Sequence, residues 1–297
     1  MITYPNCKIN LGLHVVVKRS DGYHDVETIF LPVHDLCDEL EIVEGALSMV
    51  QDGIVLDNAP EDNLCMKAWK LLHEEFGIPP VSIRLKKNIP FGAGLGGGSS
   101  DAAFTLKMLN EMFSLCLGDS DLERLAARLG ADCAFFIRNQ PAYATGIGDQ
   151  LELIKLDLSA YRIVIEIPEG EHVSTKEAYA GLGNAGILPR QPQAAATPST
   201  LEGEPDSTNR VSLNSPSKIE GVSAVGGRGR MTPRPDLRDA VKRPVSEWRD
   251  FIVNDFETSV FPAHLAIADL KDDMYRRGAL YASMTGSGAA VFGIFKA

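Results

Sequence analysis

Between Pro90 and Ala103 the chain reads Pro-Phe-Gly-Ala-Gly-Leu-Gly-Gly-Gly-Ser-Ser-Asp-Ala-Ala, a stretch poor for packing and suited to holding phosphate. Its glycines, Gly92, Gly94, Gly96, Gly97 and Gly98, allow positive φ and close backbone approach to a ligand. Ser99, Ser100 and Asp101 read as N-cap and first-turn residues, and Ala102, Leu106, Leu109 and Phe113 follow at helical spacing, so the loop opens into a helix. The unpaired N–H groups and positive dipole end of such a helix form an anion site that suits a di- or triphosphate. No Gly-Lys-Ser/Thr closes the loop, which excludes a P-loop, and the acidic residue of the dinucleotide fingerprint is missing. A tight strand-to-helix turn is the alternative. The strand-like Val81-Ser-Ile-Arg-Leu85 before the loop and the capped helix after it favour phosphate.

Asp132 follows a helix stop at Gly130 and precedes the apolar Cys133-Ala-Phe-Phe136, which puts it at a partly buried wall as either a general base or a helix cap. Lys8 and Asn10 fall on one face of an alternating strand, so both look toward the same side. Periodicity alone favours a solvent-facing lysine over a catalytic one. Tyr23 and His24 come just after a turn, where an exposed aromatic beside an imidazole can stack on and hydrogen-bond a base.

The elements that position these residues follow from pattern. Ile9, Leu11, Leu13, Val15 and Val17 alternate with Lys8, Asn10, Gly12 and His14, which predicts a half-buried strand. Ser20-Asp21-Gly22 turns it into a second strand, Tyr23 to Phe30, making a hairpin. Glu61-Asp62-Asn63 caps a helix carrying Leu64, Ala68, Leu71 and Leu72 and stopped by Gly77, and a further helix runs from Leu122 to Leu129. A second unit opens with the strand Tyr161–Ile167 and ends with a helix near Ala263–Arg277 and a strand near Ala289–Phe295. The mixture lacks strict βαβ alternation, so the fold class is α+β. Residues from about 188 to 235 are dominated by Pro, Ser, Thr, Gly, Ala and Gln, a composition that cannot offset its ordering entropy and reads as a disordered insertion.

With 297 residues, 44% of them hydrophobic, the chain can bury a large core, and its formal charge of −11 argues against nucleic-acid binding. An anionic ligand must therefore be held by a local site. No apolar run approaches a membrane span, and Met1-Ile-Thr-Tyr-Pro lacks a signal-peptide layout. Five cysteines without a CxxC pair read as reduced thiols of a cytoplasmic protein, and the histidines show no zinc spacing.

Pro5-Asn-Cys-Lys-Ile-Asn10, Arg19-Ser-Asp-Gly-Tyr-His24, the glycine loop, Gly130-Ala-Asp-Cys-Ala-Phe-Phe136 and Thr285-Gly-Ser-Gly288 occur in one order. Together they resemble the GHMP kinase superfamily over nearly the whole chain apart from the insertion. The resemblance implies two lobes: an ATP-binding lobe over 1–158 like domain 2 of ribosomal protein S5, and a ferredoxin-like, substrate-side lobe over 159–297. It implies Asp132 as base with Lys8 beside it, and ATP held by Gly92, Ala93, Gly94, Leu95, Gly96, Gly97, Gly98, Ser99, Ser100 and Asp101. Asn63 matches an asparagine near the adenine pocket, though capping explains it almost as well. Magnesium would arrive with ATP and be met by Ser100, or less readily Ser99, without a dedicated ligand set. The Asp21-Gly-Tyr-His24 and Gly130-Ala-Asp132 motifs imply, as acceptor, the 2-hydroxyl of a cytidine diphosphate-linked methylerythritol in isoprenoid precursor synthesis. Asn10, Tyr23, His24, Gly286, Ser287 and Gly288 would contact that small molecule. Thr175 and Tyr179 join them through the segment His172–Tyr179, with Tyr179 read equally as helix-core packing. Another acceptor (homoserine, mevalonate or a sugar), or a silent ligand sensor of the same fold, stays open, as does the choice between monomer and homodimer.

Overall fold

After a two-residue strand β1 (Ile2–Thr3), the alternating segment forms β2 (Asn6–Lys18), which turns at Gly22 and returns antiparallel as β3 (His24–Cys37). This computed structural model describes residues 1–54, 60–182 and 234–297. The hairpin is as expected, but β2 is not half-buried. Lys8, Asn10 and His14 are buried on its polar face, while Val17 on the apolar face is exposed. Register shifts at Leu11/Leu13 and Val15/Val17 break the period of two. The open edge of β2 is also covered: Lys8 N donates to Leu95 O at 2.9 Å, and Asn10 N to Thr285 Oγ1 at 3.0 Å.

The chain continues through β4 (Glu39–Glu44), β5 (Ser48–Gly53), α1 (Leu64–Phe76), β6 (Val81–Lys87), α2 (Gly97–Met112), α3 (Asp119–Ala127), α4 (Phe135–Arg138), β7 (Ala142–Thr145) and β8 (Gln150–Leu153). One sheet has the order β1-β4-β6-β5 and another β2-β3-β7-β8. α1 begins where the sequence places it: Asn63 Oδ1 accepts from Cys65 N at 2.9 Å, and Gly77 at φ +67° ends it. Such a cap is worth about 1 kcal/mol. Its apolar stripe, Ala68, Leu71 and Leu72, packs with Leu106 and Leu109 of α2 over Leu40, Ile42 and Ile83 of the first sheet.

β6 ends in Lys87, whose buried ammonium donates to Asp38 and, at 2.7 Å, to Asp101 in α2. The other Asp38 oxygen accepts from Asn88 N and Ile89 N at 2.6 and 2.8 Å. One buried cluster thus ties the entry of the glycine loop to the helix that leaves it. Burial, opposed by Lys87 and reinforced by Asp38, pushes the Asp101 carboxyl up to about 7.

The second half supplies β9 (Tyr161–Glu166), α5 (Thr175–Gly181), α6 (Leu237–Ala240), α7 (Phe256–Val260), α8 (Leu265–Arg276), β10 (Tyr281–Met284) and β11 (Val291–Lys296). Among the described residues its sheet is antiparallel with the order β10-β11-β9. The core crosses between the halves, because Ile9 and Leu11 of β2 cluster with Trp248, Tyr281 and Phe292. The insertion expected at 188–235 lies outside the described residues except for Arg234 and Pro235.

Candidate active site

The glycine loop curls because Gly92, Gly94 and Gly96 take φ of +68°, +78° and +71° while the residues between them do not. That alternation turns successive N–H groups toward one concave side. Gly96 is the N-cap of α2, so the helix begins at Gly97. Ser99 and Ser100 therefore sit within the first turn and Asp101 just beyond it, and none is the cap the sequence suggested. Gly94 is required by space as well as by φ: a Cβ there would stand 2.2 Å from the Thr285 carbonyl oxygen. Ala290 N also donates to Ala93 O at 3.2 Å, so the glycine loop and the Thr285–Gly288 turn meet backbone to backbone.

Beside this loop, the Lys8 ammonium lies 2.5 Å from Asn10 Oδ1, 3.6 Å from Asp132 Oδ2 and 4.9 Å from the centre of the Phe30 ring. Burial pushes the Lys8 pKa down, and the Asp132 charge opposes that shift. Asp132 sits in the turn between α3 and α4, where Cys133 N donates to Gly130 O at 3.1 Å, and its side chain is 32% exposed. The carboxylate can thus reach a ligand while its lysine partner cannot leave.

Lys8, Asn10, Asp132, Gly92, Gly94, Gly96, Thr175, Tyr179, Gly286 and Ser287 border one cleft of about 290 Å³. Thr175 Oγ1 is 3.2 Å from Ser287 Oγ across it. Tyr179 packs edge-on against Phe256, with centroids 4.8 Å apart, and stacks on His24 at 4.4 Å and 17°. Burial and, secondarily, Asp132 raise the Tyr179 pKa, so the phenol stays neutral. Burial and then Lys18 lower that of His24, which favours a neutral imidazole with one donor and one acceptor.

Other expected residues lie elsewhere. His24 stacks on the cleft residue Tyr179 without bordering the cleft itself, and neither does Tyr23, which is 63% exposed. Asn63 caps α1 and contacts Gln51 Oε1 at 3.3 Å. Asp101 faces Lys87 instead of the loop. Ser100 is fully buried, its hydroxyl without a hydrogen-bond partner among the described residues. Ala93 and Leu95 are buried, so they present backbone rather than side chains; Gly97, Gly98, Ser99 and Gly288 do not border the cleft. No cluster of three metal-ligating side chains occurs among the described residues.

Sequence reasoning missed the polar residues that fix the cleft. Asn254 Nδ2 donates to Met284 O and Gly286 O, both at 2.8 Å, while its Oδ1 accepts from Phe256 N at 3.0 Å. Thr285 Oγ1 lies 3.2 Å from Asn10 Oδ1 and 3.3 Å from Gly94 O. Asn254, two residues before Phe256 and next to Asp255, carried a helix-start signal; Thr285 adjoins the recognised Gly-Ser-Gly. Thr28 lies in a β-branched strand pattern and carried no signal.

Two family models match the chain: the GHMP kinases N terminal domain over residues 63–140 and the GHMP kinases C terminal over 237–297. A 4-diphosphocytidyl-2-C-methyl-D-erythritol kinase of Bacteroides thetaiotaomicron is 45% identical, covering 100% of this chain and 92% of its own. That of Azobacteroides pseudotrichonymphae is 43% identical over 100% of this chain and 94% of the relative. A crystal structure of 4-(cytidine 5'-diphospho)-2C-methyl-D-erythritol kinase superposes with a TM-score of 0.70 at 28% identity, covering 99% of this chain and 90% of that one. A mevalonate kinase crystal structure, 16% identical, shares the fold with a TM-score of 0.59 over 99% of this chain and 91% of its own.

Proposed function

We propose a function from one premise: the chain belongs to the GHMP kinases, among the 4-diphosphocytidyl-2-C-methyl-D-erythritol kinases, and has their two-lobed α+β fold. It is an ATP-dependent kinase that phosphorylates the hydroxyl of a small molecule, 4-diphosphocytidyl-2-C-methyl-D-erythritol, in isoprenoid precursor synthesis. The observation that carries the residue-level reading is the Lys8–Asp132 pair, 3.6 Å apart in the cleft that the positive-φ glycines also border.

In this reading the concave N–H groups of 92–96 and the first turn of α2 hold the triphosphate. Asp132 accepts the proton of the acceptor's 2-hydroxyl as that oxygen bonds to the γ-phosphorus. The bond from the γ-phosphorus to the β-bridging oxygen breaks, and ADP leaves. Lys8, held charged by Asp132 and Asn10, stabilises the negative oxygen that forms. The residues fit magnesium carried on ATP: the buried Ser100 hydroxyl at the start of α2, without a hydrogen-bond partner among the described residues, is a group that phosphate or its metal would satisfy. The metal would supply charge neutralisation on the transferring group.

Tyr23, His24 and Tyr179 form the cytosine site in this account, with Thr175 and Ser287 at the ribose-phosphate side. The direct His24–Tyr179 stack leaves no room for a third ring between them, so base entry separates them. Phosphorus NMR of the product tests the reading: a new phosphomonoester signal beside an intact diphosphate supports it, and a lengthened phosphate chain opposes it.

A further inference from the structure

The hydrogen-bond polarity around Asn10 is fixed from both ends. Thr28 is buried, and its Oγ1 lies 2.5 Å from the Gly12 carbonyl oxygen. A carbonyl carries no proton, so the Thr28 hydroxyl proton must lie on that line. Thr28 is then only an acceptor toward the Asn10 side chain 2.9 Å away, and the amide atom facing it must be Nδ2. The other end of the amide, Oδ1, therefore faces Lys8 Nζ at 2.5 Å and Thr285 Oγ1 at 3.2 Å. Lysine has donors only, so a reversed amide would set NH2 against ammonium. The β-bulge between Leu11 and Leu13, with Gly12 at φ +71°, lies where Gly12 O accepts from Thr28.

We infer that Thr28 is a positioning residue for phosphoryl transfer: its hydroxyl fixes which way round the Asn10 amide lies, and so keeps a carbonyl oxygen against the Lys8 ammonium. The inference rests on the kinase reading above. Without Thr28 the Nδ2 of Asn10 is a buried donor with no partner among the described residues, and the Lys8 ammonium alone opposes a turn of the amide. Where the amide turns to find another acceptor for Nδ2, Lys8 is left with Asp132 alone. The ionisable groups acting on this ammonium are Asp132 across the cleft and Cys7 next to it in β2; the Phe30 ring covers another side.

Thr28→Val keeps the shape and deletes the hydroxyl, whereas Thr28→Ser keeps the hydroxyl and deletes the methyl. T28V is expected to lower kcat by about 10–100-fold, with KM for ATP changed less than about twofold. Its alkaline limb of kcat against pH should move to lower pH, because the ammonium has lost an acceptor and deprotonates earlier. T28S should restore both. A T28V enzyme with unchanged kcat and unchanged alkaline limb overturns the inference, as does a folded T28S impaired as badly as T28V, which would assign the effect to packing. If T28V does not fold, T28S is read against the wild type: wild-type kcat and alkaline limb support the inference, and a folded T28S impaired in both overturns it. An inactive wild type on every acceptor overturns the kinase reading and this inference with it; an active wild type with an equally active T28V overturns this inference only.

Discussion

The Asp132 carboxylate stands 3.6 Å from the Lys8 ammonium, a lysine 3% exposed on a strand that ordinary periodicity would leave facing water. The pair joins a fixed positive charge to a reachable base. Asp132→Asn keeps the shape and removes the base, so kcat is expected to fall by about 10²–10⁴-fold. Affinity for an ATP analogue, measured by calorimetry, should stay within about twofold, since the phosphate loop is untouched. Near-wild-type turnover would remove Asp132 from the chemistry.

Tyr179 borders the cleft, stacks on His24 and packs on Phe256. Tyr179→Ala is expected to raise KM for the cytidylylated acceptor by about tenfold or more, the scale of one lost base–aromatic stack, while KM for ATP holds. Tyr23→Ala should act in the same direction. Equal effects on both substrates would mean that these rings support the fold and not the base.

Gly94 in the loop and Gly98 in the first turn of α2 belong to one glycine-rich run and should respond oppositely to the same added methyl. At Gly94, φ is +78° and the new Cβ would sit 2.2 Å from Thr285 O, so Gly94→Ala is expected to cost about 1–3 kcal/mol and to disrupt the cleft. At Gly98 the nearest atom is Leu64 Cδ1 at 3.7 Å, within a helix. Gly98→Ala should hold or gain about 0.5–1 kcal/mol of stability. Denaturant melts of the two variants check the contrast.

Asp101, pushed up to about 7 by burial, binds its proton more tightly in the folded chain than in the unfolded one. Its contribution is therefore fully present at acid pH and is lost as pH climbs from about 4, the unfolded carboxyl value, through the folded one. Asp101→Asn, which has no proton to lose, should flatten that part of the stability–pH curve. Denaturation at pH 5 and pH 8 measures the slope, and an unchanged slope would show that Asp101 is not its source.

Much of this molecule was legible because its signals are local. Asn63 and Gly77 bound α1, and Gly22 turns the hairpin, from chemistry within a few residues. The depth of β2 was not legible, since burial of Lys8 and Asn10 depends on Leu95 and Thr285, far away in sequence. The start of α2 was misplaced because serines dominate the capping signal, whereas left-handed Gly96 does the capping. Asp101 reads from sequence as a capping or first-turn residue beside ATP, and only the fold brings Lys87 and Asp38 to it. Strand β10, four residues long, is too short for a period to register.

The decisive measurement is ADP release by the purified chain with MgATP, run with 4-diphosphocytidyl-2-C-methyl-D-erythritol beside methylerythritol phosphate, homoserine and mevalonate. Turnover confined to the cytidylylated acceptor is the expected result. Turnover with one of the others in its place, or none with any acceptor despite ATP binding, would contradict it.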